Sequence, residues 1–402
     1  MRLLLLNYEF PPLGGGASTA TFYMARELVA RGHHVEVLTS SMPGAAPTEL
    51  VDGVLVHRVF SLRRGFHDAG LIGAATYLVS AARKLRRLAR TGNFDCAHFY
   101  FALPTGALAP LWVRWTKRPY VVALRGSDVP GYDGGIVLAL LHRMLRFATR
   151  RILAGASHVT ANSKSLRQLA QRSFPGLRIQ TITNGVCTST FRPLEPRRST
   201  SQPRLLAVSR LVRRKGLEDI IAALASPLLS ACSLTLVGDG RLRSRLQALA
   251  RSLGVADRVE FAGRLHGDEL SSCYRTADCF VLPSHAESCS MSLLEAMASG
   301  LPVVAARTGG TPELVEDRVN GRLFAAGDVH DLAEAIAWML ESGERMRSIC
   351  AANRARVVAT HDWPSIVSTY EQRCYSPELA TSGAADGGGR ADRQAQCDQA
   401  TP

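Results

Sequence analysis

Short apolar runs alternate with longer amphipathic stretches along most of this 402-residue chain. The run at 2–8 is followed by residues 16–33, in which Phe22, Ala25 and Leu28 recur at helical spacing. Strands that alternate with helices predict parallel β-α-β units with helices on both faces of the sheet. The chain is therefore expected to have an α/β fold.

The alternation stops once and then restarts, which predicts two Rossmann-like domains. Residues 1–190 form the first domain, and 191–203, rich in Pro, Ser, Thr and Arg, form a linker. Residues 204–360 form the second domain, and 361–375 form a terminal helix expected to return to the first. Residues 376–402 have few apolar side chains and are predicted to be a disordered tail. Open α/β sheets bind ligands beyond the carboxyl ends of their strands, so a cleft between the domains is the expected site.

The cysteines and the apolar runs indicate in which cellular compartment the chain is expected to fold. The nine cysteines are scattered without a C-x-x-C pair, which indicates a reducing cytosol and argues against a disulfide scaffold or a structural zinc site. The apolar N-terminal run, Leu3–Leu6, is too short for a secretory signal. The sequence contains no run of about 18 apolar residues, so no transmembrane helix is expected.

Positive charge is concentrated in the first half. Residues 1–195 carry 24 of the 48 Lys and Arg but only 10 of the 34 Asp and Glu, and the net charge of the whole chain is +14. Such asymmetry indicates an acidic partner for this half, with a generic solubilising surface as the alternative.

Two basic amphipathic stretches carry much of this charge. Their apolar stripes are expected to face the core: Leu78, Ala81, Leu85 and Leu88 in the first, and Leu141, Leu145, Ala148 and Ile152 in the second. Sparse aromatic residues and the lack of a recognisable module argue against nucleic acid. An anionic membrane surface is the expected partner, which predicts a cytoplasmic protein peripheral on the inner face of the cell membrane.

Glycine turns follow several predicted strands. Gly15 and Gly16 open the first helix, where close backbone approach and the helix N-terminus favour an anion, although a tight turn without a ligand also fits. This turn is not G-x-G-x-x-G, and the second strand does not end in an acidic residue, so a dinucleotide dehydrogenase is disfavoured. Gly238 and Gly240 allow a second turn to pass close to a ligand.

Two cations lie at the end of the first strand of the second half. Arg210 and Lys215 are costly to place together without an anion. A diphosphate fits both, because arginine binds phosphate in a bidentate fork and lysine binds it as a point charge. Arg213 and Arg214, between them, are expected to be solvated.

Several motifs together resemble a known family. They are GGGAST, ANS, NGVCTSTFRP, VSRLVRRKG, LVGDG, RVEFAG, LPSHAESCSMSLLEAMASGLPVVA and GGTPELV. Their order and spacing resemble the GT-B glycosyltransferases of family 4, over roughly residues 1–375. The resemblance implies the GT-B fold, with two Rossmann-like domains facing each other across a cleft. It also implies an acceptor-binding first domain and a second domain that binds the donor nucleotide sugar.

In the second half the resemblance assigns roles to the E-x7-E segment. Glu287 would lie near the hydroxyls of the donor sugar, and Glu295 would accept hydrogen bonds from the ribose hydroxyls. The amides around Ser290, Met291 and Ser292 would face the diphosphate at a helix N-terminus.

The first half matches the family less closely. His98 matches a family histidine, and Tyr100 stands where a second histidine is common. Arg125 replaces the histidine of a His-Gly-Ser-Asp segment; it cannot act as a base but could clamp an anionic group on donor or acceptor. His98 is either a site residue or a buried core histidine. Asp128 either faces the acceptor or caps a turn.

The resemblance implies sugar transfer from a nucleotide-diphosphate sugar, with retention at the anomeric carbon. The acceptor would be a saccharide or lipid-linked molecule in cell-surface polysaccharide or glycolipid synthesis. No metal is expected, because protein cations stabilise the leaving diphosphate. The alternatives are another GT-B protein, such as a sugar-nucleotide epimerase or a phosphorylase, and a binding protein without turnover.

Overall fold

The computed structural model describes residues 1–63, 65–66, 69–193, 202–341 and 343–376. Within these ranges the strands form two sheets, one in each half of the chain. Residues 194–201 of the expected linker, and residues 377–402 of the expected tail, lie outside the described ranges.

The first sheet is almost entirely parallel. Its strands are β1 Arg2–Leu6, β2 His34–Ser40, β3 Thr48–Val51, β4 Val54–Val59, β5 Cys96–Tyr100, β6 Tyr120–Leu124, β7 His158–Ala161 and β8 Ile179–Thr181. Their spatial order is β3-β4-β2-β1-β5-β6-β7-β8, and only β3 runs antiparallel to its neighbour. All four leucines of β1 are buried, as expected for a strand covered on both faces.

Five helices cover the first sheet. They are α1 Gly16–Ala30, α2 Gly70–Thr91, α3 Ala109–Thr116, α4 Ile136–Ala154 and α5 Lys164–Ser173. One apolar cluster, which includes the fully buried Trp112, joins α2, α3, α4 and α5 to the sheet. A separate cluster joins α1. The helices α2 to α5 therefore lie on one face of the sheet and α1 lies on the other.

The second sheet is parallel throughout. Its strands are β9 Arg204–Val208, β10 Ser233–Val237, β11 Val259–Gly263, β12 Cys279–Leu282, β13 Val303–Ala306 and β14 Arg322–Phe324, in the order β11-β10-β9-β12-β13-β14. The helices of this half are α6 Leu217–Ala223, α7 Arg243–Ser252, α8 Gly267–Thr276, α9 Met291–Ala298, α10 Thr311–Leu314, α11 Val329–Leu340 and α12 Gly343–Thr360. The two parallel sheets confirm the predicted fold class.

The end of the described chain lies against the first sheet. Helix α13, Trp363–Tyr370, and the π-helical turn Glu371–Tyr375 share the apolar cluster of α1. The Trp363 ring stacks on Tyr23, with 5.9 Å between ring centroids. Among the described residues, no helix has the length and apolar character needed to cross a membrane.

The two halves also meet at the carboxyl ends of their strands. The Glu313 carboxylate of α10 accepts hydrogen bonds from the Lys164 and Ser165 amides, at 2.8 and 2.7 Å. These amides belong to the N-terminus of α5, whose positive end favours an anion. We call the surface along which the loops of the two halves meet the interdomain seam.

Candidate active site

The adjacent strands β9 and β12 position the first pair of charges. Because these strands are parallel neighbours, the loops that follow them leave the same edge of the sheet. Lys215 in one loop donates to the Glu287 carboxylate in the other, with 2.5 Å between Nζ and Oε2. Burial by itself raises the pKa of Glu287, but the Lys215 and Arg214 charges outweigh burial and lower it. Glu287 is therefore an ionised carboxylate held by a lysine.

Glycines allow these loops to pack closely. A side chain at Gly238 would collide with the Ser209 carbonyl oxygen, and one at Gly240 would come within 2.5 Å of the Leu211 oxygen. Gly238 and Gly240 thus shape the loop that carries Arg210. A side chain at Gly216 would likewise collide with the Pro283 carbonyl oxygen, so this glycine lets the Lys215 loop approach the Glu287 loop.

Two helix N-termini converge beside Arg210. A Cβ at Gly15, which precedes α1, would lie 3.6 Å from the Arg210 side chain, and one at Gly16 would lie 3.3 Å from Met291 Cγ. Met291 begins α9, and the Ser290 hydroxyl caps that helix by accepting from the Leu293 amide. Each helix N-terminus carries a partial positive charge. The convergence of two of them with a guanidinium provides a binding site for an anion.

Ser292 lies in the first turn of α9, and its hydroxyl is 3.1 Å from the Ser290 hydroxyl. Glu295, farther along α9, is buried. It accepts a hydrogen bond from the Tyr274 hydroxyl at 2.8 Å. Burial raises the pKa of Glu295 to about 7, although this hydrogen bond opposes the shift. The carboxylate is therefore close to its midpoint of ionisation at neutral pH.

A third buried acid, Glu9, is not among the site residues predicted from the sequence. It lies in the loop after β1, where a side chain at Gly14 would contact it, and its carboxylate is 3.9 Å from the Arg63 guanidinium. Burial raises the pKa of Glu9, and the charges of Arg210 and Arg63 oppose the rise. A carboxylate in the loop that follows a buried strand was the signal that could have identified this residue.

A cavity of about 210 Å³ opens between the two halves. Tyr132 and Leu169 line it from the first half, and His285, Glu287 and Ser288 line it from the second. The cavity therefore gives a ligand direct access to the Glu287 side of the ion pair.

Arg125 lies at the interdomain seam. Its Nη1 donates to the Asn184 side-chain oxygen at 2.6 Å, and its guanidinium lies 4.6 Å from the Tyr100 ring centroid. Asn184 in turn donates to the Cys289 carbonyl oxygen. Both Tyr100 and Arg125 depart from the family pattern, so the structure brings the two departures into contact. The buried Arg125 Nε has no hydrogen-bond partner among the described residues.

His98 and Asp128 lie deeper in the first half. His98 Nδ1 is hydrogen-bonded to the Tyr375 hydroxyl, and burial together with the Arg125 charge lowers the pKa of His98 to about 3, so the ring is neutral. The Asp128 carboxylate accepts from the Ala102, Arg125 and Gly126 amides at 2.8 to 3.0 Å. Of the two alternatives for Asp128, this geometry is that of a loop cap.

In the part of the chain that the structure describes, no group of three or more His, Cys, Asp or Glu side chains is arranged to hold a metal ion. The converging groups are cations, helix N-termini and the carboxylates of Glu9, Glu287 and Glu295. Such a set binds a polyanion that also carries hydroxyl groups.

The fold is that of the GT-B glycosyltransferases. Sucrose-phosphate synthase from Thermosynechococcus elongatus superposes with a TM-score of 0.80 at 22% identity, covering 92% of this chain and 98% of that one. Anabaena HepE in complex with UDP and glucose gives a TM-score of 0.73 at 23% identity, covering 92% and 98%.

Sequence comparisons define the family. Residues 14–190 match Glycosyltransferase Family 4, and residues 193–356 match Glycosyl transferases group 1. A Mycobacterium tuberculosis glycogen synthase is 28% identical over 398 residues, covering 92% of this chain and 94% of that protein. A GDP-mannose-dependent alpha-(1-6)-phosphatidylinositol monomannoside mannosyltransferase of the same organism is 28% identical over 386 residues, covering 91% and 96%. The chain belongs to family 4 of the glycosyltransferases and is a transferase.

Proposed function

We propose that the protein transfers a sugar from a nucleotide-diphosphate sugar to a saccharide or lipid-linked acceptor, with retention at the anomeric carbon. The observation that carries this proposal is the convergence of the α1 and α9 N-termini on Arg210, next to the Lys215–Glu287 pair. The diphosphate occupies this point, and the sugar extends toward the cavity beside Glu287.

Each charged group has a task in this arrangement. Cleavage of the donor leaves negative charge on the diphosphate, which Arg210, Lys215 and the helix N-termini stabilise without reorganising during the reaction. Lys215 then divides its hydrogen bonds between the diphosphate and Glu287. Glu287 accepts from sugar hydroxyls, and Glu295 accepts from the ribose hydroxyls once ionised.

The compared proteins support the choice of donor and acceptor. The name of the mycobacterial mannosyltransferase specifies a GDP-mannose donor and a phosphatidylinositol mannoside acceptor, and the HepE structure holds UDP and glucose. Together they favour a nucleotide-sugar donor here, and the first favours a lipid-linked acceptor.

The acceptor side of the proposal places the enzyme on an anionic membrane at the cytoplasmic face, in cell-surface polysaccharide or glycolipid synthesis. Four arginines of α2, Arg83, Arg86, Arg87 and Arg90, line one surface depression of about 350 Å³. Each basic side chain near such a surface contributes about 1 kcal/mol of binding.

Replacing Arg83, Lys84, Arg86 and Arg87 with Ser should weaken salt-sensitive binding to anionic vesicles. Equal binding to neutral and anionic vesicles would favour a soluble acceptor.

A panel of labelled UDP-, GDP- and ADP-sugars tests the reaction class. We expect release of the nucleoside diphosphate and movement of the label to the acceptor. A phosphorylase would instead release sugar phosphate, and an epimerase would convert the donor without any acceptor. Either of those products would overturn the proposal.

A further inference from the structure

Helix α4 exposes large apolar side chains along its length. Ile136, Val137, Leu140, Met144 and Phe147 are 86%, 69%, 57%, 72% and 71% exposed. At 3.6 residues per turn these five positions fall within an arc of about 100°. They form one continuous stripe, which we call the α4 apolar face. Contiguous exposed apolar surface of this kind marks an interaction site.

The same helix has a second apolar side that does face the core. Ile152 and Leu153 are buried, and Leu141 and Leu145 are half-buried. The predicted core stripe included Ala148, but Ala148 is exposed, because it lies on the border of the opposite face. Since packing on the sheet already uses the core side, it does not explain the α4 apolar face.

The charged residues of α4 itself are all arginines. The helix contains no Asp or Glu, and it carries Arg143, Arg146, Arg150 and Arg151. The Arg151 guanidinium lies 5.6 Å from the Phe147 ring centroid, at the end of the apolar stripe. An apolar stripe bordered by arginines is the pattern of a helix that lies in the interface of an anionic bilayer.

Helix α2 carries a similar combination of side chains. It lies on the same face of the sheet as α4, contains no Asp or Glu, and exposes Leu71, Ile72 and Val79. The four arginines that line its surface depression belong to the same helix. Apolar side chains and arginines thus occur together on both helices.

We propose that the α4 apolar face inserts into the interfacial layer of an anionic lipid bilayer. A second copy of the chain is a poorer occupant, because facing α4 helices would bring two sets of four arginines together. The chain's own residues 377–402 are also poor candidates, since Leu379 is their one large aliphatic side chain.

The position of α4 connects this docking to the site. The inference rests on the proposed transfer to a lipid-linked acceptor. Residues 131–135 precede α4, and Tyr132 in this loop lines the interdomain cavity together with Glu287. A helix inserted at headgroup depth holds the cavity close to the membrane surface, where a lipid-linked saccharide presents its sugars.

Quenching by brominated acyl chains tests insertion directly. Phe147→Trp places a reporter on the α4 apolar face, and Leu228→Trp is the matched control on an exposed residue of the second half. In vesicles of phosphatidylglycerol and phosphatidylcholine with brominated chains, we expect added quenching for Phe147→Trp and none for Leu228→Trp. Equal quenching in the two variants would overturn the proposal.

A triple variant tests the contribution of the face to binding. Leu140→Ser/Met144→Ser/Phe147→Ser should lower the partition into the same vesicles by at least about tenfold, as expected from loss of buried apolar area. The control Leu228→Ser/Leu253→Ser/Val319→Ser removes three exposed apolar side chains of the second half, and it should partition like the wild type. Nucleoside diphosphate affinity should stay unchanged in both, which shows that they fold.

Three further outcomes distinguish membrane docking from self-association and from the proposed function. Wild-type dimers in sedimentation that the α4 triple variant dissociates would overturn membrane docking in favour of self-association. Quenching at position 147 without sugar transfer would support docking while contradicting the proposed function. Transfer without quenching would overturn docking and leave the proposed function intact.

Discussion

The interdomain seam and helix α4 depart in opposite ways from the usual placement of charged and apolar side chains. At the seam the carboxylates of Glu9, Glu287 and Glu295 are buried, whereas on α4 the side chains of Met144 and Phe147 are exposed to solvent. Burying charge and exposing large apolar groups both cost free energy unless a partner compensates. At the seam, lysine, arginine and tyrosine supply part of that compensation. On α4 the side chains of the apolar face stay more than half exposed in the part of the chain that the structure describes.

This difference indicates two kinds of ligand. The seam suits a compact polar molecule, because its groups are already positioned by short hydrogen bonds and glycine-lined loops. The α4 surface is a stripe of exposed apolar side chains and suits a broad, fluid partner.

Breaking the buried ion pair should have the largest effect. Lys215→Met leaves the Glu287 carboxylate buried without its lysine, which should lower the free energy of unfolding by about 3–5 kcal/mol. Lys215→Met/Glu287→Leu removes both charges and should recover most of the loss, although it should abolish transfer. Denaturant unfolding measures both variants. A single variant as stable as the wild type would show that the seam does not depend on this pair.

Removing the diphosphate contact should have the next largest effect. Arg210→Ala should weaken nucleoside diphosphate binding by about 1–3 kcal/mol, the range of charge-assisted hydrogen bonds. Arg213→Ala is the matched control, since Arg213 is an exposed cation of the same loop, and its affinity should stay within about 0.5 kcal/mol. Calorimetric titration compares the two. Equal losses would mean that the loop acts only through its general positive charge.

Substitutions of Glu287 and Glu295 should affect different quantities, one the transfer rate and the other the nucleotide affinity. Glu287→Gln should mainly reduce the transfer rate, because we propose that Glu287 contacts the sugar. Glu295→Gln should mainly reduce nucleoside diphosphate affinity, because we propose that Glu295 contacts the ribose. Calorimetry and initial rates distinguish the two effects. If both variants lost affinity equally and kept their transfer rates, the assignment of sugar and ribose would be wrong.

Ionisation of Glu295 should appear in the pH dependence of binding. Its pKa of about 7 means that the neutral acid dominates below pH 7 and the better acceptor, the carboxylate, dominates above. Affinity for the nucleoside diphosphate should therefore rise with pH by up to about tenfold per unit below the pKa. Glu295→Gln should remove this rise, whereas ionisation of the nucleotide itself affects both proteins alike. An identical pH profile for the two would contradict the assignment.

The smallest effect should come from the contact between Glu313 and α5. Glu313→Gln keeps an acceptor near the Lys164 and Ser165 amides but removes the charge, so it should cost about 0.3–1 kcal/mol. Small-angle scattering should show a slightly more open molecule in the absence of nucleotide. An unchanged scattering profile would mean that other contacts hold the seam closed.

Local patterns in the sequence predicted much of the fold. The leucines of β1 and the helical spacing in α1 are signals between residues close in the chain. The Lys215–Glu287 and His98–Tyr375 contacts join distant residues, and their spacing in the sequence does not reveal them. The α4 apolar face was missed for a different reason. Leu141, Leu145 and Ile152 already satisfied the pattern of a core-facing helix, and a second apolar stripe is not needed to explain the fold.

The anomeric configuration of the product tests the central account most directly. NMR of the product formed from an α-linked nucleotide-sugar donor should show an α linkage, with the nucleoside diphosphate released. The rate should fall in Arg210→Ala and persist in Arg213→Ala. A β-linked product, or a transfer rate that Arg210→Ala leaves unchanged, would contradict retention at a diphosphate site formed by α1, α9 and Arg210.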